Sequence, residues 1–65
     1  MWIARDKNGD LNLFTHRPLR FNGEWLISDI DLIHNGAKYI PIYNKLFPNL
    51  KWKDEPIEVD LTIKK

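Results

Sequence analysis

Apolar and polar positions alternate most cleanly towards the C-terminus. In IEVDLTI, residues 57–63, Ile57, Val59, Leu61 and Ile63 alternate with Glu58, Asp60 and Thr62. A period of two with β-branched side chains predicts a strand with one dry and one wet face. Pro56 suits its start, because proline has no N–H to give to a ladder. At the other end, WIAR and LNLFT flank DKNGD, where Asn8-Gly9 supplies the positive backbone dihedrals of a tight turn. This predicts a hairpin in one of two registers. A two-residue turn sets Lys7 opposite Asp10 and Ala4 opposite Leu13. A longer turn, with Gly9 left-handed as a bulge, sets Asp6 opposite Asp10 and Ile3 opposite Leu13. The longer turn is favoured because it groups Ile3, Leu11 and Leu13 on one face, although it also sets Arg5 beside Leu11.

The middle of the chain reads as EWLIS, a strand after the loop RPLRFNG, and KYIPI, another strand. Between them, DIDLIHNGA has two readings. Asn35-Gly36 turns a second hairpin, or Ser28 caps a short helix with Asp31 completing a capping box and Asn35-Gly36 ending it. A helix of barely two turns is marginal by itself, so the hairpin is favoured. Pro48 excludes a helix running through YNKLFPNLKW. One helical turn over residues 43–47 fits, with Leu46 and Phe47 pointing inward, followed by a connector pinned by Leu50 and Trp52. The fold class is therefore mainly β: a small antiparallel meander of four to five strands with one helical turn before the last. Small SH3-like barrels share that feature, an analogy of fold that carries no function. The alternative is α+β, with a short helix at about residues 28–34.

Composition narrows the range of functions. Sixty-five residues are expected to make a single domain near the lower limit of independent stability, without the volume for a deep enzyme cleft. Ten Lys and Arg against nine Asp and Glu leave a net charge of +1, too little for a general attraction to nucleic acid or anionic membranes. With no cysteine there is no disulfide framework and no thiolate metal site, which favours a reducing cytoplasm. MWIARDKNGD lacks the basic start and apolar run of a signal peptide. No apolar stretch approaches the roughly 18 residues of a membrane-spanning helix.

The stretch LFPNLKWKDEP followed by IEVDLTI resembles a pattern in small uncharacterised proteins of gut bacteria and their phages. These share an IARDKNG-like hairpin, a central tryptophan and a closing LFP..KW.D.P..V.L string. The matching positions are Ile3 to Gly9, Trp25, Leu46 to Pro48, Lys51-Trp52, Asp54, Pro56, Val59 and Leu61. The resemblance implies a compact all-β or α+β domain of phage or mobile-element origin and attaches no activity to it.

Candidate chemistry centres on FTHRPLRF, residues 14–21, where His16, Arg17 and Arg20 lie among Phe14, Phe21 and, further on, Trp25. Such a set can grip phosphates and stack on bases. Pro18 and Gly23, however, mark a turn-rich loop where charges are solvated, and at most about three phosphate contacts would form. Asp29 and Asp31 could share a strand face as metal ligands, but no third acid stands nearby. His16 and His34 lack ligand spacing, Ser28 has no nucleophile elbow, and three glycines build no phosphate loop. Asp54, Glu55 and Glu58 sit beside Lys51 and Lys53 as solvated ion pairs. No enzyme activity, cofactor or metal is expected.

Trp2, Trp25 and Trp52 are a large aromatic endowment, and those left outside a one-sided sheet would mark an interface. The expectation is a non-enzymatic protein-interaction or accessory domain, with Trp2, Phe14, Arg17, Arg20, Phe21 and Trp25 as its candidate surface. Its partner is another protein or a second copy of itself. Weak nucleic-acid binding through the basic and aromatic loop at 14–25 is the alternative.

Overall fold

The computed structural model describes residues 1–60. In chain order the elements are β1 (Trp2–Arg5), β2 (Leu11–Phe14), β3 (Leu19–Phe21), β4 (Glu24–Leu26), α1 (Asp29–His34), β5 (Tyr39–Ile42) and β6 (Ile57–Glu58). β1 and β2 form the predicted hairpin in its longer register, with Ile3 opposite Leu13 and Arg5 opposite Leu11. Asp6 N–H donates to the Asp10 carbonyl at 2.8 Å, and Gly9 N–H to the Asp6 carbonyl at 2.9 Å. Gly9 takes φ +100°, a conformation glycine enters without the steric cost a Cβ would add.

β5 and β6 flank this hairpin to give an open antiparallel sheet of order β5-β2-β1-β6. The domain is thus mainly β, but it is not the expected single meander, and no closed barrel forms among the described residues. One reason lies in the segment read as the loop RPLRFNG. Asn22 and Gly23 take φ +49° and +80°, two consecutive left-handed residues of the kind that close a two-residue hairpin. Leu19–Phe21 therefore pairs with β4 in a separate two-stranded sheet.

The predicted hairpin at 28–36 is replaced by the helix α1. Ser28 Oγ accepts the Asp31 N–H at 3.2 Å, and Asn35 N–H closes on the Asp31 carbonyl at 3.1 Å. Asn35 Nδ2 also donates to Asp31 Oδ1 at 2.7 Å, which holds that carboxyl below its ordinary range. Gly36, at φ +63°, ends the helix. Local caps thus outweigh the short length that argued against it.

Residues 43–47 form no helical turn. Two successive β-turns take their place, closed by Leu46 N–H to Tyr43 carbonyl (3.1 Å) and Leu50 N–H to Phe47 carbonyl (2.9 Å). Leu46 and Phe47 are exposed rather than inward, because the backbone turns its carbonyls, not these side chains, towards Arg5. The C-terminal ladder runs through β6 to Val59, whose N–H donates to the Met1 carbonyl at 2.7 Å. The Leu61–Ile63 part of the predicted strand lies outside the described residues.

The sheet is covered on both faces, not one. Ala4 and Phe14 lie under Trp25, Ile27 and Ala37, with Trp2 and Trp52 at the margin. Ile3, Leu11 and Leu50 form the second cluster, flanked by Leu13, Ile42 and Val59. Leu50 and Trp52 do pin the connector, one to each cluster. The described residues span only 16 Å in their shortest dimension, so each core is one side chain deep. No helix among them is long and apolar enough to cross a membrane.

Candidate functional site

Trp25 joins the small hairpin to the main sheet. Its backbone N–H donates to Asp6 Oδ1 and its indole Nε1–H to the Arg5 carbonyl, both at 2.9 Å. The Lys7 N–H reaches the Gly23 carbonyl at 2.9 Å, so the first turn and the second are laced together. Around Trp25 the candidate residues separate into two roles. Phe14 and Trp25 are buried and belong to the core, against the expectation that they form a surface. Phe14 stacks on Tyr39 with ring centroids 5.7 Å apart, and Trp25 meets Trp52 edge-on at 5.8 Å.

Arg20 lies over both Trp25 (4.6 Å) and Trp52 (4.8 Å) and donates to the carbonyls of Trp52 and Asp54. Arg17 lies over the half-buried Trp2 at 4.9 Å and meets Glu55 at 3.3 Å. His16 Nδ1 shares a hydrogen bond with Thr15 Oγ1. Phe21 alone of the six is an exposed ring with no aromatic or cationic partner among the described residues. The two arginines thus act as clamps between the β3–β4 hairpin and residues 52–55. Arg20 gives its planes to two indoles and one terminal nitrogen to backbone carbonyls, and Arg17 gives one face and one exposed ion pair, which leaves less of each for a phosphate or base.

On the other flank of Trp25 a cleft of about 300 Å³ opens between β4, α1 and β5. Asp6, Asn12, Glu24 and Asp29 line it beside Trp25 and Tyr39, with no basic residue among the described residues of its walls. Asp6 and Asn12 are diagonal neighbours on one face of the β1–β2 hairpin, since Asp6 follows the Arg5–Leu11 pair and Asn12 faces Ala4. Only 8% of Asp6 and 9% of Asn12 remain exposed. Asp6 Oδ1 is held by Trp25, whereas the Asn12 amide bonds no other described residue and, not being sealed from solvent, opens into the cleft.

Burial pushes the Asp6 carboxyl above the ordinary carboxylate value. The Trp25 N–H pulls it down, and the charges of Glu24 and Asp10 push it further up. Because the folded chain then holds this proton more tightly than the unfolded one, the associated stability is complete below the ordinary value near 3.8 and is lost as pH rises through the raised one. Asp6→Asn keeps an Oδ1 for Trp25 and removes the charge. Urea unfolding from pH 3 upward should show the variant gaining on the wild type as pH rises through that window, and standing above it at neutrality. A variant that stays less stable at every pH would refute this account of Asp6.

Sequence reasoning placed no function on Asp6, Asn12 or Glu24. By alternation Asn12 reads as the wet position between Leu11 and Leu13, so no local signal marked it; its burial follows from the cover over the second face. Asp29 and Asp31, paired in the sequence reading, part company: Asp29 faces the cleft while Asp31 turns to Asn35. Among the described residues, no three His, Cys, Asp or Glu side chains stand close enough to hold a metal ion. No family model matches the chain, and neither a curated protein nor a solved structure matches it.

Proposed function

We propose that this chain is a non-enzymatic protein-interaction domain that docks another polypeptide against α1 and the adjoining side chains of β4 and β5. The observation that carries the reading is that α1 buries none of its residues although half of them are aliphatic. Ile30, Leu32 and Ile33 stay 68%, 49% and 74% exposed, and the exposed Leu26 and Tyr39 continue the apolar surface from Leu32 along the cleft. A six-residue helix kept by its caps alone gains most from a partner that covers it, at about 25 cal/mol for each Å² of apolar surface removed from water.

A foreign chain suits this face better than a second copy. A two-fold dimer sets a patch against itself, which here would pack one acidic cleft rim against another. The engagement of Arg17 and Arg20 in clamps favours protein over nucleic acid as the partner. Action in the cytoplasm, and an origin in a phage or mobile element, belong to the same proposal. They rest on the lack of cysteine and on the LFP..KW.D.P..V.L string.

Selection of a displayed random peptide library against the purified protein tests the docking face. Enriched peptides should bind the wild type and lose at least about tenfold in affinity to Ile30→Glu/Ile33→Glu, while surface substitutions of this kind leave unfolding within about 0.5 kcal/mol. Peptides that bind wild type and variant alike would refute the assignment. A concentration-dependent dimer by light scattering, dissolved by the same variant, would replace the foreign partner with a second copy.

A further inference from the structure

The cleft beside α1 says what the partner carries. We infer that it receives an arginine side chain of the docked polypeptide, its guanidinium set among Asp6, Asn12, Glu24 and Asp29 and its stem running over Leu26 and Leu32. This deepens the docking reading and rests on it. Among the described residues the lining holds three carboxyl groups and no basic group, so the cleft suits positive charge. The acids alone would not define a site. Asn12 does: the residue is nine-tenths buried, yet its amide bonds no other described residue and keeps its access through the cleft, where a ligand can meet it.

The shape of the charge selects guanidinium over a compact cation. The carboxyl groups stand too far apart to converge on one metal ion. Spread acceptors instead match a planar group with five donors in a fixed fork. Tyr39, 59% exposed in the wall, adds aromatic surface of the kind on which a guanidinium stacks. The chain itself uses the same pairing on the opposite flank of Trp25, where Arg20 lies over the indoles. Asp6 also bears the mark of a group kept for binding, since a buried carboxylate with one oxygen unbonded among the described residues costs the free protein stability that a cation would return.

The test needs no natural partner. N-acetyl-arginine methylamide, its lysine counterpart and the neutral citrulline counterpart are titrated into the full chain and followed by NMR at the Asn12 amide, the Trp25 indole N–H and the Asp6 carboxyl carbon. The arginine amide should give saturable shifts confined to the cleft, the lysine amide should bind at least about fivefold more weakly, and citrulline should give none. Glu24→Gln and Asp29→Asn, both on the exposed rim, should each weaken arginine binding about three- to tenfold with unfolding unchanged, and Asp6→Asn should weaken it more. Equal binding of arginine and citrulline, equal binding of arginine and lysine, or shifts centred on Asp54 and Glu55 would each overturn the assignment.

The two readings fail separately. Library peptides that need Ile30 and Ile33 but show no preference for arginine would sink the cleft assignment and keep the docking face. Arginine amide seated in the cleft of Ile30→Glu/Ile33→Glu, with no peptide enriched on the wild type, would do the reverse.

Discussion

Replacing Arg5 by alanine should remove about 3 kcal/mol of stability, because its guanidinium holds together segments that share little apolar contact. Nε donates to the Leu50 carbonyl at 2.6 Å, and one terminal nitrogen donates to the carbonyls of Gly9 and Asn44, both at 2.8 Å. The other donates to Leu46 at 2.9 Å and to Phe47 at 3.2 Å. Five acceptors match the five N–H donors of the side chain, and no carboxylate pairs with it among the described residues. The carbonyls belong to the two turns of residues 43–50 and to the first hairpin turn, so one side chain adds to the Leu50 anchor in holding that loop. Domains of this size are stable by roughly 3–10 kcal/mol in total, so the loss is a large share. Arg5→Lys keeps the charge but has three donors on a point centre and should recover less than half of it. Urea melts measure both, and hydrogen exchange at Leu46 and Leu50 should rise in each variant. A lysine variant as stable as the wild type would refute the hub.

Trp25→Ala should cost about 3–5 kcal/mol and leave the chain at the edge of folding. The indole fills the space over Ala4 and Phe14, meets Trp52 edge-on and carries Arg20 on its face. Its loss opens a cavity and leaves the Arg5 carbonyl without its indole donor. Trp25→Phe separates these effects: the ring remains, the donor is lost, and the cost should fall to about 1–2 kcal/mol. Calorimetry of the two variants gives the comparison. If alanine and phenylalanine cost the same, the hydrogen bond rather than packing is the dominant contribution of Trp25, and the packing account fails. The β3–β4 hairpin should exchange its amide hydrogens faster in Trp25→Ala than β1 and β2 do, since Trp25 is its main tie to the sheet.

The site residues were legible to different degrees, for reasons that lie in the range of the forces involved. Trp2, Trp25 and Trp52 announce themselves by size, yet whether a ring lies in the core or on the surface depends on what folds over it. The β3–β4 hairpin covers Phe14, a consequence of Asn22-Gly23 acting as a turn inside what reads as a loop. The opposite error occurred at Leu46 and Phe47, where apolar character predicted inward side chains. There the demand of Arg5 for carbonyl acceptors set the backbone, and the side chains were left outside.

Local chemistry in the sequence determined the β1–β2 hairpin with its register, the positions of β4 and β5, and the caps that make α1 available as an alternative. Each depends on residues within a few positions of one another: glycine at a left-handed site, alternation along a strand, a serine three residues before an N–H. Tertiary structure alone decided that the sheet is covered on both faces, that Arg17 and Arg20 serve as clamps, and that Asp6, Asn12, Glu24 and Asp29 share one cleft. Those outcomes join positions far apart in the chain, such as Arg17 and Glu55, which are 38 residues apart. Pairing at that separation is governed by packing and solvent exclusion over the whole molecule, which no local pattern encodes.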